Sequence, residues 1–177
     1  MPKAVRLALA VVVAIAAVVG LLLFVQSRDR STVSDETGAG AAPGRLLPDQ
    51  GAEHRRAPAG FRYATDPPTS GPHVPSPVRR EGPLSRDQLL SALESGDVVL
   101  VYGDPADEGA LRALQEDIAG PFDPAIAAAG QAVLLERRAG TGGVVALAWR
   151  RMLRARSATD AQVRAFAEHW LGKGARQ

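Results

Sequence analysis

Between Tyr63 and His73 the chain reads YATDPPTSGPH, and the seven residues Pro67 to His73 hold three prolines and one glycine. Proline locks φ and donates no backbone hydrogen bond, so this run can be neither a helix interior nor a central strand. Gly71 permits a tight bend, while Thr69 and Ser70 can bond their own backbone as turn formers. These residues predict a rigid loop laid over a folded domain. A structural role accounts for the run without catalysis.

A chain of 177 residues holds one modest domain. The first residues stand apart from it. Leu7 to Val25 is an uncharged, nearly all-apolar run of 19 residues, long enough to cross about 30 Å of hydrocarbon as a helix. Lys3 and Arg6 precede it, which favours a cytoplasmic N-terminus and an extracytoplasmic remainder. The run exceeds a signal-peptide core, and no small-residue cleavage site follows Phe24, so a retained anchor over residues 1–26 is expected. Residues 27–60 are rich in Ser, Thr, Gly, Ala, Pro and scattered charge, and read as a disordered linker that includes His54.

The folded part is expected over residues 61–172, with a tail at 173–177. Within 61–172 there are 12 arginines against 14 carboxylates, a net −2, so the basic surplus lies outside the domain. That balance argues against nucleic acid as a partner. With no cysteine, disulfides and thiolate chemistry are excluded.

Ser85-Arg-Asp-Gln88 is a capping box, with Leu84 and Leu89 at its staple positions and Leu89, Leu90 and Leu93 as the buried stripe. Gly96 suits the C′ position. Asp97 to Tyr102 reads as a buried strand, Asp104-Pro105 opens a second helix, and residues 124–129 suit one helical turn. Ala132–Glu136 and Val144–Trp149 read as paired strands joined by the glycine-rich turn Arg137–Gly143. A second capping box at Thr159–Gln162 opens a last helix with Val163, Phe166 and Trp170 inward, and His169 beside that stripe. The pattern predicts a small α+β domain whose helices cover a three- or four-stranded sheet.

Tyr63, the Pro67–His73 run, Leu93-Glu94 with Gly96 and its VVLVY strand, and Ala148-Trp149 occur in this order in the domain-of-unknown-function family 3105. The chain resembles that family from Tyr63 to Leu171. The resemblance implies a single-pass, extracytoplasmic bacterial protein of the cell envelope. The family's histidine pattern, with its loose association with copper-handling neighbours, implies metal binding in typical members. There the helix reads HALEHG, whereas here Ser91 and Ser95 hold the histidine positions. Neutral hydroxyls are poor ligands for copper or zinc. The resemblance thus implies a degenerate site that keeps His73 and Glu94.

The expected role is a non-enzymatic binding or interaction module at the plasma membrane. Its face would be Tyr63, Pro68, Thr69, Ser70, Gly71 and His73 with Ser91, Glu94 and Ser95 of the helix. No cofactor is required, and the partners would be the bilayer and an envelope protein or ligand. The alternative is copper handling through His73 and Glu94. For His73 the bland reading is a histidine pinning its loop to a carbonyl. For Glu94, at an unfavourable helix end, either an arginine partner or an exposed position is expected, and a structural ion pair before an acid–base role. Arg137, Arg138, Arg150, Arg151, Arg154 and Arg156 read as a solvated basic edge, or as contacts to anionic headgroups. A Ser70/His73/Asp66 triad would need three neighbours on one proline-rich loop to reach a geometry such loops rarely achieve.

Overall fold

The computed structural model describes residues 42–175. The expected anchor at Leu7–Val25 and the linker up to residue 41 lie outside the described residues. Among those described, no helix is long and apolar enough to cross a membrane.

Ten elements follow in order: β1 (Arg45–Leu46), α1 (Arg86–Ser95), β2 (Val98–Tyr102), a 3₁₀ turn (Pro105–Asp107), α2 (Glu108–Ala119), α3 (Pro124–Ala128), β3 (Val133–Arg137), β4 (Val144–Ala148), β5 (Arg151–Ala155) and α4 (Ala161–Trp170). The strands form one sheet in the order β1-β5-β4-β2-β3, so it has five strands rather than three or four. Only β2 and β3 run parallel.

The strand Val98-Val-Leu-Val-Tyr102 is buried along its whole length because both faces of the sheet are covered. Val98, Leu100 and Tyr102 face α2 and α4, meeting Leu111, Leu114, Val163 and Phe166. Val99 and Val101 face the other way, toward Leu89, Leu90 and Leu93 of α1 and toward Leu47, Trp149 and Met152. At about 1.5–3 kcal/mol for each large apolar side chain, these two layers are the main stabilising term.

The capping box of α1 forms as read: Gln88 N donates to Ser85 Oγ at 3.2 Å, and Ser85 N donates to Gln88 Oε1 at 3.0 Å. At α4 the cap falls one residue later than expected, since Asp160 Oδ1 accepts from Gln162 N at 3.0 Å.

The expected β3–β4 hairpin does not form. β2 lies between those strands, and the loop after β3 crosses over it, with Arg138 N donating to Tyr102 O at 2.8 Å. The true hairpin is β4–β5, whose second strand was not expected. Its tight turn, Trp149-Arg150, holds Arg150 at φ 59, in the left-handed region. Two distant segments clamp that turn: Arg150 N donates to Thr69 O at 3.0 Å, and Leu47 N donates to Arg150 O at 2.8 Å.

Both expected domain boundaries move outward. Residues 42–60 belong to the domain, because β1 pairs with β5, Leu47 is buried, and Trp170 Nε1 donates to Pro43 O at 2.7 Å. At the other end, residues 173–175 are not a free tail, since Ala175 N donates to Glu94 O at 2.9 Å.

Candidate metal centre

The Pro67–His73 run is buried at every position. Its polar groups hold a second segment, residues 48–54, alongside it. Ser70 Oγ accepts from Gln50 N at 3.1 Å and donates to Pro48 O at 3.2 Å. Gly71 N donates to Gly51 O at 2.8 Å, and His73 N donates to Glu53 O at 3.0 Å. Gly71 sits at φ 124, and a Cβ there would lie 2.8 Å from the Tyr63 ring, so glycine alone fits. Tyr63 closes over the loop and donates its hydroxyl to Pro72 O at 2.6 Å.

This pairing ends in a parallel bridge between His54 and His73, which brings the two rings to 5.5 Å between centroids. Glu94, on α1, completes the group. His54 Nε2 lies 2.9 Å from Glu94 Oε2 and 3.1 Å from Oε1, and His73 Nε2 lies 3.0 Å from Oε2. Ligand atoms of all three side chains lie within 4.8 Å of one another. An ion held at about 2.0–2.2 Å from each ligand needs them about 3–4 Å apart, so small side-chain adjustments suffice.

The tautomer of His73 is set by its neighbour. Gly71 O can only accept, so Nδ1 donates to it, at 2.9 Å, and Nε2 is the nitrogen that faces the cluster. His73 is 1% exposed, and its Nε2 has no aligned hydrogen-bond partner despite the 3.0 Å approach of Glu94. If Nε2 is neutral, two lone pairs face one another; if it is protonated, its N–H misses its acceptor. A metal ion at the centre satisfies both atoms, with the carbonyl behind Nδ1 as the usual orienting partner of a ligating histidine.

The other site residues read from the sequence fall elsewhere. Pro68, Thr69 and Ser70 are buried, and Ser70 and the Thr69 carbonyl hold the 48–50 segment and the β4–β5 turn. Ser70 bonds Gln50 and Pro48, while Asp66 pairs with Arg138 at 3.1 Å, so the paper triad is not assembled. Ser91 and Ser95 line a separate cleft with Pro75–Val78 and Asp97. Ser91 Oγ accepts there from Ser76 N at 2.9 Å, and Ser95 Oγ donates to Ser91 O at 2.9 Å. The expected partner of Glu94 is a pair of histidines, not an arginine. His54, which the sequence placed in a linker, is the member of the cluster that the sequence did not single out. The apolar pair Leu46-Leu47 inside a polar stretch was the available signal that this segment is docked.

His169 stands apart from the cluster, edge-on to Trp170 at 4.7 Å, where burial lowers its pKa. Among the arginines, Arg138 pairs with Glu136 and Asp66, and Arg150 with Asp49 at 3.3 Å.

A family model described as Protein of unknown function (DUF3105) matches residues 54–176, and the chain belongs to that family. Neither the curated proteins nor the solved structures gave a match. The match begins at His54 itself.

Proposed function

For this member of that family we propose metal binding: a divalent transition-metal ion, copper(II) or zinc(II), held by His54, His73 and Glu94. The observation that carries the reading is the buried His73 Nε2, turned toward Glu94 and without an aligned partner. Two imidazoles and one carboxylate form a borderline-hard donor set that suits copper(II) and zinc(II). With no thiol in the chain, copper(I) has no soft ligand of that kind. Three protein ligands leave a position for water or an exchanging ligand. His54, with its side chain 54% exposed, gives the ion a way in and out.

The role is holding an ion rather than turning over a substrate. Glu94 is the one carboxylate in the cluster, and as a ligand it is not free for general-base work. The Leu7–Val25 run supports a single-pass anchor with this domain outside the cytoplasm. Membrane fractionation with protease protection tests that placement, and full protection of the domain in intact cells would overturn it.

The test of the site is titration of the full chain with copper(II) and zinc(II). Trp149 is the reporter, its ring 6.4 Å from that of His73. One equivalent of copper(II) quenches the wild type, and His73→Ala and His54→Ala each abolish the saturable phase. Ser91→His with Ser95→His leaves the affinity unchanged, because those positions line the other cleft. Saturable binding that survives His73→Ala would sink the assignment.

A further inference from the structure

The cleft beside α1 has the makings of a second site, and its features stand independently of the metal reading. Asp97 follows Gly96 at the end of α1 and is 1% exposed. Its Oδ1 accepts from Ala132 N at 2.8 Å, which fixes the carboxyl group. Its Oδ2 is buried and has no hydrogen-bond partner. A buried acceptor left unmatched costs about 1–3 kcal/mol, more when it is charged, so this atom calls for a donor.

Asp97 forms part of the wall of a cleft of about 230 Å³. Pro75, Pro77, Val78 and Ala127 give it apolar sides, and Ser91 and Ser95 add hydroxyls. No Lys or Arg lines it, and none stands in the last turn of α1. The C-terminal end of a helix carries a partial negative charge, which adds to that of the carboxylate. Burial pushes the Asp97 pKa from 3.8 to about 7, the Ala132 bond offsetting this only in part. The cleft is thus a negative, half-apolar hollow without a countercharge of its own.

Those features choose among ligands. An anion would meet Asp97 and the helix end with like charge. A wholly apolar ligand would leave Oδ2 unmatched. A primary ammonium on a short aliphatic chain answers both needs: its charge offsets the Asp97 carboxylate, an N–H reaches Oδ2 through a small shift of the cleft wall, and its carbons meet the prolines and alanines. The volume is below the roughly 300–1,000 Å³ of sites for drug-sized molecules, so the ligand is small. We propose that the Asp97 cleft binds an alkylammonium group, either of a free amine or at the tip of a lysine side chain.

The test is amide NMR titration of the full chain at pH about 8, following Ser91, Ser95 and Ala127, with Asp97 ionised there. The probes are butylammonium, N-acetyl-lysine methylamide, 1-butanol and butyrate. Butylammonium should give saturable shifts at these residues, with butanol and butyrate giving none. Binding of the lysine derivative as well would assign the site to lysyl side chains, and its failure to bind would assign it to free amines. Asp97→Asn keeps an acceptor for Ala132 N and should weaken butylammonium at least about tenfold, as loss of a charge-assisted hydrogen bond does. Ala128→Phe, at an exposed position on the cleft wall, should block binding even if Asp97→Asn fails to fold. Equal shifts from butanol, undiminished binding in either folded variant, or no saturable shift in the wild type would overturn the proposal.

Discussion

Glu94 and Asp97 stand three residues apart where α1 ends, yet the fold treats their charges in opposite ways. Glu94 receives two imidazoles, one from the loop before α1 and one from the segment that precedes that loop. Asp97 receives a single backbone N–H and no opposite charge. The helix turn separates them: Glu94 faces the paired 48–54 and 67–73 segments, and Asp97 faces the start of β3 and the Pro75–Val78 strip. A carboxylate met by side-chain partners can be kept for stability alone. One that is buried without any is a standing loss, which points to binding as its reason for being there.

The largest expected effect comes from Asp97→Asn. The unfolded chain releases this proton near 3.8 and the folded one near 7, so between those values the native state binds more protons. Stability therefore falls as pH rises through that window. The asparagine variant should match wild type below pH about 4 and exceed it above pH about 7, by up to about 4 kcal/mol. Urea unfolding at both pH values checks this, and a variant less stable at the higher pH would break the contrast. The same exchange at the other carboxylate, Glu94→Gln, should act in the opposite sense. It loses the ionised partner of His54 Nε2 and should cost about 0.5–1 kcal/mol at neutral pH without metal. Both variants moving the same way would mean the two charges are not differently housed.

Ser70→Ala removes the hydroxyl that serves Gln50 N and Pro48 O, and should cost about 1–2 kcal/mol. It should also weaken metal binding, because it slackens the segment that presents His54. Isothermal titration beside thermal unfolding measures the two together. The smallest stability change belongs to His54→Ala, at most about 0.5 kcal/mol for so exposed a pair, although metal binding is lost. A large stability loss there would recast His54 as a structural residue.

What the sequence made legible were the local devices. Ser85 with Gln88, the all-apolar VVLVY and the Leu89/Leu90/Leu93 stripe carry their instructions within a few residues. Strand order does not work that way. Val133–Arg137 and Val144–Ala148 are close in sequence and joined by glycines, but the earlier β2 pairs with both. β5 was missed because Arg151-Met-Leu-Arg-Ala155 buries two consecutive residues and so lacks a period of two. His54 was missed for a related reason. Residues 48–54 have no periodicity of their own and take their shape from Ser70, Gly71 and His73, about twenty residues on. Two of the three residues of the cluster, His73 and Glu94, were singled out through the family resemblance. The third depended on a docking that only the folded chain displays.

The bond from Ala175 N to Glu94 O makes one residue a meeting point. Through its side chain Glu94 holds the segment that leads in from residue 42, and through its carbonyl it holds the segment that leads out to residue 175. Removing residues 173–177, or fusing a tag directly after Gly172, would therefore be felt at the histidines. An ion arriving at the cluster would, by the same linkage, fasten the first and last described segments of the domain to a single helix end.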